Sequence, residues 1–435
     1  MLKSKEKIPF SQKRKTNDQQ KGVGCDMNPL FDLSYHIPDG EAHVMPDGRL
    51  YVYGSWDKPP FAAFCSDEYT VFSTDDMVHW KNHGKSFDGH SIPWCKDGCL
   101  YAPDCTEKDG KYYLFFCMND ASEGFAVSDT PSGPFLHPTK IDTLGYAGID
   151  PAVFRDDDGT VYYLWGQFAL HGAILKDDMS GLCEASVTHN LLTEWEHGFH
   201  EGSSLRKRNG IYYLIFTDIS RGSASCLSYA TSDHPLGPYT KRGVIIDNIG
   251  CDPSDWNNHG SIECFNGQWY VFYHRTTHNC MSARRLCAEP IFFDENGLIS
   301  EVRMTVNGSE PPLSCSEWIP ASLASRMFGG MYITDDESGE YITDCQMKKW
   351  EYAWAEYRGL KFSASPAHCY ITLRGKGSVF LLTEGSQLIG KADFSSKCFE
   401  CIEIPVTVPD HASSLWIQFR GDPDSRIDFR RFRIL

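Results

Sequence analysis

The sequence predicts an all-β protein: a five-bladed β-propeller followed by a smaller β-sandwich of jelly-roll type. Three observations predict it. A turn-and-strand signature recurs five times, long helical periodicity is absent, and a Pro/Ser/Gly-rich break near residue 310 precedes a second set of strands.

The signature begins as DGRLYVYG at Asp47 and returns as DGKYYLFF at Asp109, DGTVYYLW at Asp158, NGIYYLIF at Asn209 and NGQWYVFY at Asn266. An Asp-Gly or Asn-Gly turn leading into an aromatic and aliphatic run is a strong hairpin signal. In every copy a tyrosine stands three residues after the glycine: Tyr51, Tyr113, Tyr162, Tyr213 and Tyr270. The glycines Gly48, Gly110, Gly159, Gly210 and Gly267 are 62, 49, 51 and 57 residues apart, a period suited to small antiparallel blades. VSDTPSGPF (127–135) and TSDHPLGPY (231–239) are a second echo, with FSTDDMVHW and LKDDMSGL as looser versions. Each blade is expected to run turn, strand, strand and second turn, with the tyrosine packing one blade on the next.

Residues 1–27 read as a basic disordered tail, 28–310 as the propeller and 320–435 as the sandwich. NGSEPPLSCSEWIP has linker character, and CYITLRG, SVFLLTEG, CIEIPVTV and SLWIQFRG read as strands beyond it. The formal charge of -17 argues against a nucleic-acid partner, which needs a basic surface. No apolar run is long enough to cross a membrane, and mean hydropathy is -0.38. The basic N-terminal stretch lacks an apolar core, so it is not read as a signal peptide and a cytoplasmic location is expected. The 17 cysteines form no framework, and the pair Cys398 and Cys401 has no companion to complete a zinc site, so reduced structural thiols are expected. No organic cofactor is expected, and oligomeric state is not legible.

Chemistry is expected just upstream of each repeat. Nine residues before their glycines stand Asp39 (HIPDGEAHV), Asp150 (GIDPAVF) and Glu201 (FHEGSSL); His259 (NNHGSIE) stands eight before, and Asp104 (YAPDCTE) six before. Equivalent positions in a propeller surround one central channel, so these groups are expected to converge. Converging carboxylates raise one another's proton affinity, which lets an acid and an ionised base coexist near neutrality. Cleavage of a glycosidic bond requires such a pair. An Asp before Pro or Gly is also an ordinary turn former, and Glu41 and His43 share the segment of Asp39.

With these segments, the sequence resembles glycoside hydrolase family 43 from about Asn28 to Ile299, a family of inverting five-bladed propellers. The resemblance implies Asp39 as general base, with Glu41 as rival, Asp150 as the residue that orients and tunes the acid, and Glu201 as general acid. It places His259 near a channel ion, for which calcium is the expected candidate, and Arg275 and Arg284 in a substrate-contacting stretch. Trp56, Trp94 and Asp104 are further candidates for substrate contact. The tail from about Ser322 resembles a family 6 carbohydrate-binding module, with Trp350 and Trp354 as candidates for stacking on sugar or for the core, and packing against the propeller as the alternative role of the domain. The implied activity is release of arabinofuranosyl or xylosyl units from plant polysaccharide side chains or oligosaccharides. An exo-acting galactan or arabinan hydrolase, or a non-catalytic sugar-binding propeller, is the alternative.

Overall fold

The computed structural model describes residues 27–435 except 96, 147, 345–352, 364, 385 and 422–425. The expected tail up to residue 26, and Trp350, lie outside the described residues. Five antiparallel sheets follow one another along the chain, with inner strands Glu41–Val44, Asp104–Lys108, Ala152–Arg155, Phe199–Arg208 and Ser261–Phe265. They hold four, four, three, four and three strands. A parallel bridge between Gly40 and Gly260 joins the first blade to the fifth and closes the ring. Among the described residues the only α-helix is the single turn Glu194–His197, capped by the Thr193 hydroxyl.

Strand alternation explains why five blades hold together. Side chains at successive strand positions point to opposite faces, so each second strand feeds two seams. Leu114 and Phe116 enter the cluster shared with the first blade. Tyr113 and Phe115 enter the one shared with the third. Every seam has such a cluster, and the five repeat tyrosines are divided one to each: Tyr51, Tyr113, Tyr162, Tyr213 and Tyr270.

The five signature turns are of two kinds. At Asp109-Gly110, Asn209-Gly210 and Asn266-Gly267 both residues have positive φ, and the flanking pairs Lys108↔Lys111, Arg208↔Ile211 and Phe265↔Gln268 close two-residue loops. These are type I′ turns, which Asn-Gly and Asp-Gly favour. At Gly48 and Gly159 only the glycine is left-handed, and the loop is one residue longer, as Met45 N–H to Arg49 C=O and Asp156 N–H to Thr160 C=O show. That one-residue difference governs which side chains reach the channel mouth.

Beyond the propeller, a nine-stranded sheet wraps around a core that includes Tyr357, Phe419, Phe429 and Phe432. CYITLRG and SVFLLTEG belong to one strand, His368–Thr383, rather than two. Its first half pairs with Asp428–Ile434 and its second with Ser414–Gly421. The change of partner falls at Gly375, whose φ of 116° and close approach to the Arg426 carbonyl leave no room for a side chain. Trp354 stands between Phe328 and Trp416, with ring centroids at 5.6 and 4.7 Å, so both its faces are taken by neighbouring rings. The domain meets the propeller through the Arg285–Glu340 ion pair and a contact of His278 Nε2 with Asp335 Oδ1 at 3.4 Å.

Candidate active site

The repeat tyrosines set the register of every inner strand. They pair with His43, Thr106, Phe154, Arg206 and Glu263. Four residues before these partners stand Asp39, Ala102, Asp150, Gly202 and His259. In the fourth blade an extra residue intervenes: Glu201 pairs with Thr217 and Ser203 with Phe216, so Gly202 is a bulge. The bulge brings Glu201 to the level that Asp39, Asp150 and His259 occupy in their blades. Gly202 has the same left-handed φ (59°) as Asp39 and Asp150 (57° each), and a Cβ on it would lie 2.9 Å from the His259 ring.

These groups line one cavity of about 250 Å³ together with Phe64, Tyr101, Gln167, His200, Trp256 and Arg284. Asp39 is 4% exposed. Its Oδ1 accepts from Arg284 Nη1 at 3.0 Å and its Oδ2 from the Ser55 hydroxyl. Burial pushes Asp39 toward protonation, but Arg284, His259 and His274 together outweigh it and hold the carboxyl below its usual range. Arg284 is fixed in turn by Asp57, to which its backbone N–H, Nε and Nη2 donate at 3.1, 2.9 and 3.0 Å. Asp150 is 6% exposed and is pushed well above the usual carboxylate range by burial and by the facing Glu201 and Asp39 charges. His259 Nδ1 lies between the two aspartates, 3.9 Å from Asp39 Oδ1 and 3.6 Å from Asp150 Oδ2. Glu201 is partly exposed and accepts a hydrogen bond at Oε2 from Gln167 Nε2 at 2.9 Å. The site thus combines a carboxyl held low in proton affinity, a carboxyl pushed high, and a third carboxyl open to the cavity.

Of the residues singled out in the propeller sequence, Asp39, Asp150, Glu201, His259 and Arg284 come together, whereas Asp104, Arg275, Trp56, Trp94, His43 and the rival base Glu41 do not line the cavity. Asp104 is two residues further along its strand than the cavity level, about 7 Å deeper in the channel. There it meets His43 Nε2 at 2.6 Å, at the same depth as Glu41. Arg275 is buried against the Tyr273 hydroxyl and the Thr305 carbonyl, tying the fifth blade to the segment after it. Trp56 packs on Tyr35 under Lys58, and Trp94 stacks on Phe116 in the seam between the first two blades. Tyr101, Gln167, His200 and Trp256 were missed. Tyr101 does stand nine residues before Gly110, so counting residues rather than charges would have found it.

Whether the channel suits a hard cation follows from its donors. Glu41, His43 and Asp104 offer ligand atoms within 4.8 Å of one another. Three of the four carboxylate oxygens are already engaged: Arg206 Nη2 and the Ser204 hydroxyl donate to Glu41 Oε1 at 2.7 and 2.8 Å, and the Val153 and Cys105 N–H groups donate to Asp104 Oδ2 and Oδ1 at 2.6 Å each. Arg206 Nε also reaches Glu263 at 3.0 Å. The set fits a guanidinium cation rather than an oxygen cage for calcium, and an imidazole nitrogen such as that of His259 is a poor calcium ligand.

The model of Glycosyl hydrolases family 43 matches residues 33–299. A Xylosidase/arabinosidase of Thermoclostridium stercorarium is 30% identical, with 91% of this chain and 96% of that protein covered. A solved family 43 β-xylosidase/α-arabinofuranosidase from a compost microbial metagenome, in a calcium-free complex with xylotriose, is 31% identical with a TM-score of 0.56. It covers 65% of this chain and 98% of its own. An arabinoxylan arabinofuranohydrolase from Bacillus subtilis, 21% identical with a TM-score of 0.56, covers 94% of this chain and 97% of its own, and shows the shared fold across both domains.

Proposed function

Because the chain belongs to glycosyl hydrolase family 43, we propose that it is an inverting glycosidase that releases terminal xylosyl or arabinofuranosyl units from plant-derived saccharides. The carrying observation is the meeting of Asp39, Asp150 and Glu201 around one cavity in three different electrostatic settings. Asp39, kept ionised by Arg284, takes a proton from water as the water oxygen bonds to the anomeric carbon. The bond from that carbon to the glycosidic oxygen breaks, and Glu201 delivers its proton to the departing oxygen. Asp150 and His259 hold the charge balance between base and acid. The cavity is smaller than the roughly 300–1,000 Å³ typical of drug-sized ligands, which favours one terminal sugar over a threaded chain.

The pentose assignment rests on relatives named for xylosidase and arabinosidase activity that span nearly the whole chain or the propeller. Likeness to an exo-β-1,3-galactanase, at 15% identity, supports the fold alone. The test is a panel of aryl β-xylopyranoside, α-arabinofuranoside and β-galactopyranoside, with NMR of the first anomer released. Turnover of a pentoside with inverted product is expected, and Glu201→Ala should abolish cleavage of an unactivated saccharide, whose leaving oxygen needs the proton. Retained configuration, or activity on the galactoside alone, would overturn the reading.

A further inference from the structure

The loop after the third blade's middle strand is laced to both carboxyl-bearing strands. Gly166 N–H donates to the carbonyl of Ile149, the neighbour of Asp150, at 3.2 Å. Phe168 N–H donates to the carbonyl of His200, the neighbour of Glu201, at 2.8 Å, and its own carbonyl accepts from Glu194 N–H at 2.8 Å. Between these anchors sits Gln167. Gly166, at φ 141°, sits where only glycine fits, since a Cβ would lie 2.1 Å from the Ala169 oxygen, and Phe168 has φ 65° without being glycine. A side chain in left-handed backbone is costly and persists where surrounding contacts enforce it. What the loop holds in place is the Gln167 amide, whose N–H meets Glu201 Oε2.

We propose that Gln167 is a positioning residue for the proton donor: its amide N–H occupies Glu201 Oε2, so that Oε1 carries the proton and faces the departing oxygen. The inference rests on Glu201 being the acid. A hydrogen bond from a neutral donor strengthens when its acceptor gains charge. The Gln167 bond therefore grows as the proton leaves Glu201, and interactions stronger in the transition state than in the ground state accelerate the chemical step. Loss of the bond slows proton delivery and nothing else. Its effect must scale with how much the leaving group needs that proton.

The experiment compares wild type, Gln167→Ala, Gln167→Glu and Glu201→Ala on two aryl glycosides of the accepted sugar, one with a 2,4-dinitrophenyl and one with a 4-methylphenyl leaving group. For Gln167→Ala, kcat on the 4-methylphenyl substrate is expected to fall about ten- to a hundredfold, and on the dinitrophenyl substrate about twofold or less. The basic limb of kcat/KM should move to higher pH in Gln167→Ala, because the ionised carboxylate has lost a donor. It should move further in Gln167→Glu, which adds a like charge. Equal losses on both substrates, or an unmoved basic limb, would overturn the proposal. Glu201→Ala separates the two levels of the argument. If it shows no leaving-group dependence, the acid assignment has failed; if it does and Gln167→Ala does not, the positioning role has failed.

Discussion

Replacing Arg284 by methionine removes a guanidinium that serves two buried carboxylates at once. Arg284 gives Asp39 one hydrogen bond at 3.0 Å and gives Asp57 three at 2.9–3.1 Å. The backbone bond survives in the variant; the three side-chain bonds do not. Breaking a buried ion pair from one side costs about 3–5 kcal/mol, because the remaining charge stays desolvated. A carboxylate beside an arginine has its pKa depressed by about 1–3 units. Arg284 heads the influences that hold Asp39 low against its burial. Without it, Asp39 must bind its proton at higher pH, and a base that is protonated cannot accept one from water. The acid limb of kcat/KM on an aryl pentoside is therefore expected to move up by about 1–3 pH units in Arg284→Met. Arg284→Lys should fall between, since an ammonium keeps the charge but cannot span both carboxylates. The linkage has a definite sign. A depressed folded-state pKa stabilises the fold at higher pH and ceases to do so as pH falls through it. The stability gap between wild type and Arg284→Met, measured by urea denaturation, should narrow as pH falls. An acid limb identical to wild type, with kcat reduced, would refute the reasoning and leave Arg284 as a substrate contact only.

Two further outcomes are expected. Gly202→Ala places a Cβ 2.9–3.0 Å from three atoms of the His259 ring on left-handed backbone; it should cost about 1–3 kcal/mol in denaturant unfolding and lower kcat about tenfold or more, as Glu201 or His259 shifts. Wild-type activity would mean that the bulge tolerates a side chain. Glu123 is 1% exposed, burial pushes its pKa to about 8, and the Tyr163 hydroxyl donates to it at 2.5 Å. A raised folded-state pKa favours the fold at low pH, and that advantage is lost as pH rises through about 8. Glu123→Gln should match wild type near pH 5 and exceed it by a few kcal/mol near pH 9. Parallel pH profiles of the two proteins would exclude this carboxyl as the source.

Much of the architecture was legible because a propeller repeats itself in sequence. The Asp-Gly and Asn-Gly turns and the fixed tyrosine give five blades directly, and the same tyrosines divide among five seams. The two halves of His368–Thr383 read as separate strands in sequence because glycines such as Gly375 and Gly377 look alike in a turn and in a bent strand. At the site, Asp39 and Asp150 were found by counting from glycine because both precede the longer kind of turn. Asp104 was misplaced because its charge singles it out six residues before Gly110, whereas the cavity level of its blade lies eight before. Its blade has the two-residue turn, and the position that reaches the cavity is Ala102.

The sequence by itself determined the fold class, the number of blades and the carboxylates available for chemistry, because backbone hairpin preferences and strand alternation act over a few residues. Tertiary structure decided which charges share a cavity. One extra residue at Gly202 brings Glu201 level with Asp39, and two residues of strand carry Asp104 down to His43. It also decided which carboxylate is ionised, since Arg284 lies 245 residues from Asp39 in the chain and reaches it only when the fifth blade closes on the first. Proton affinity depends on distances of a few ångströms between groups far apart in sequence, and residue counting along the chain carries no such information.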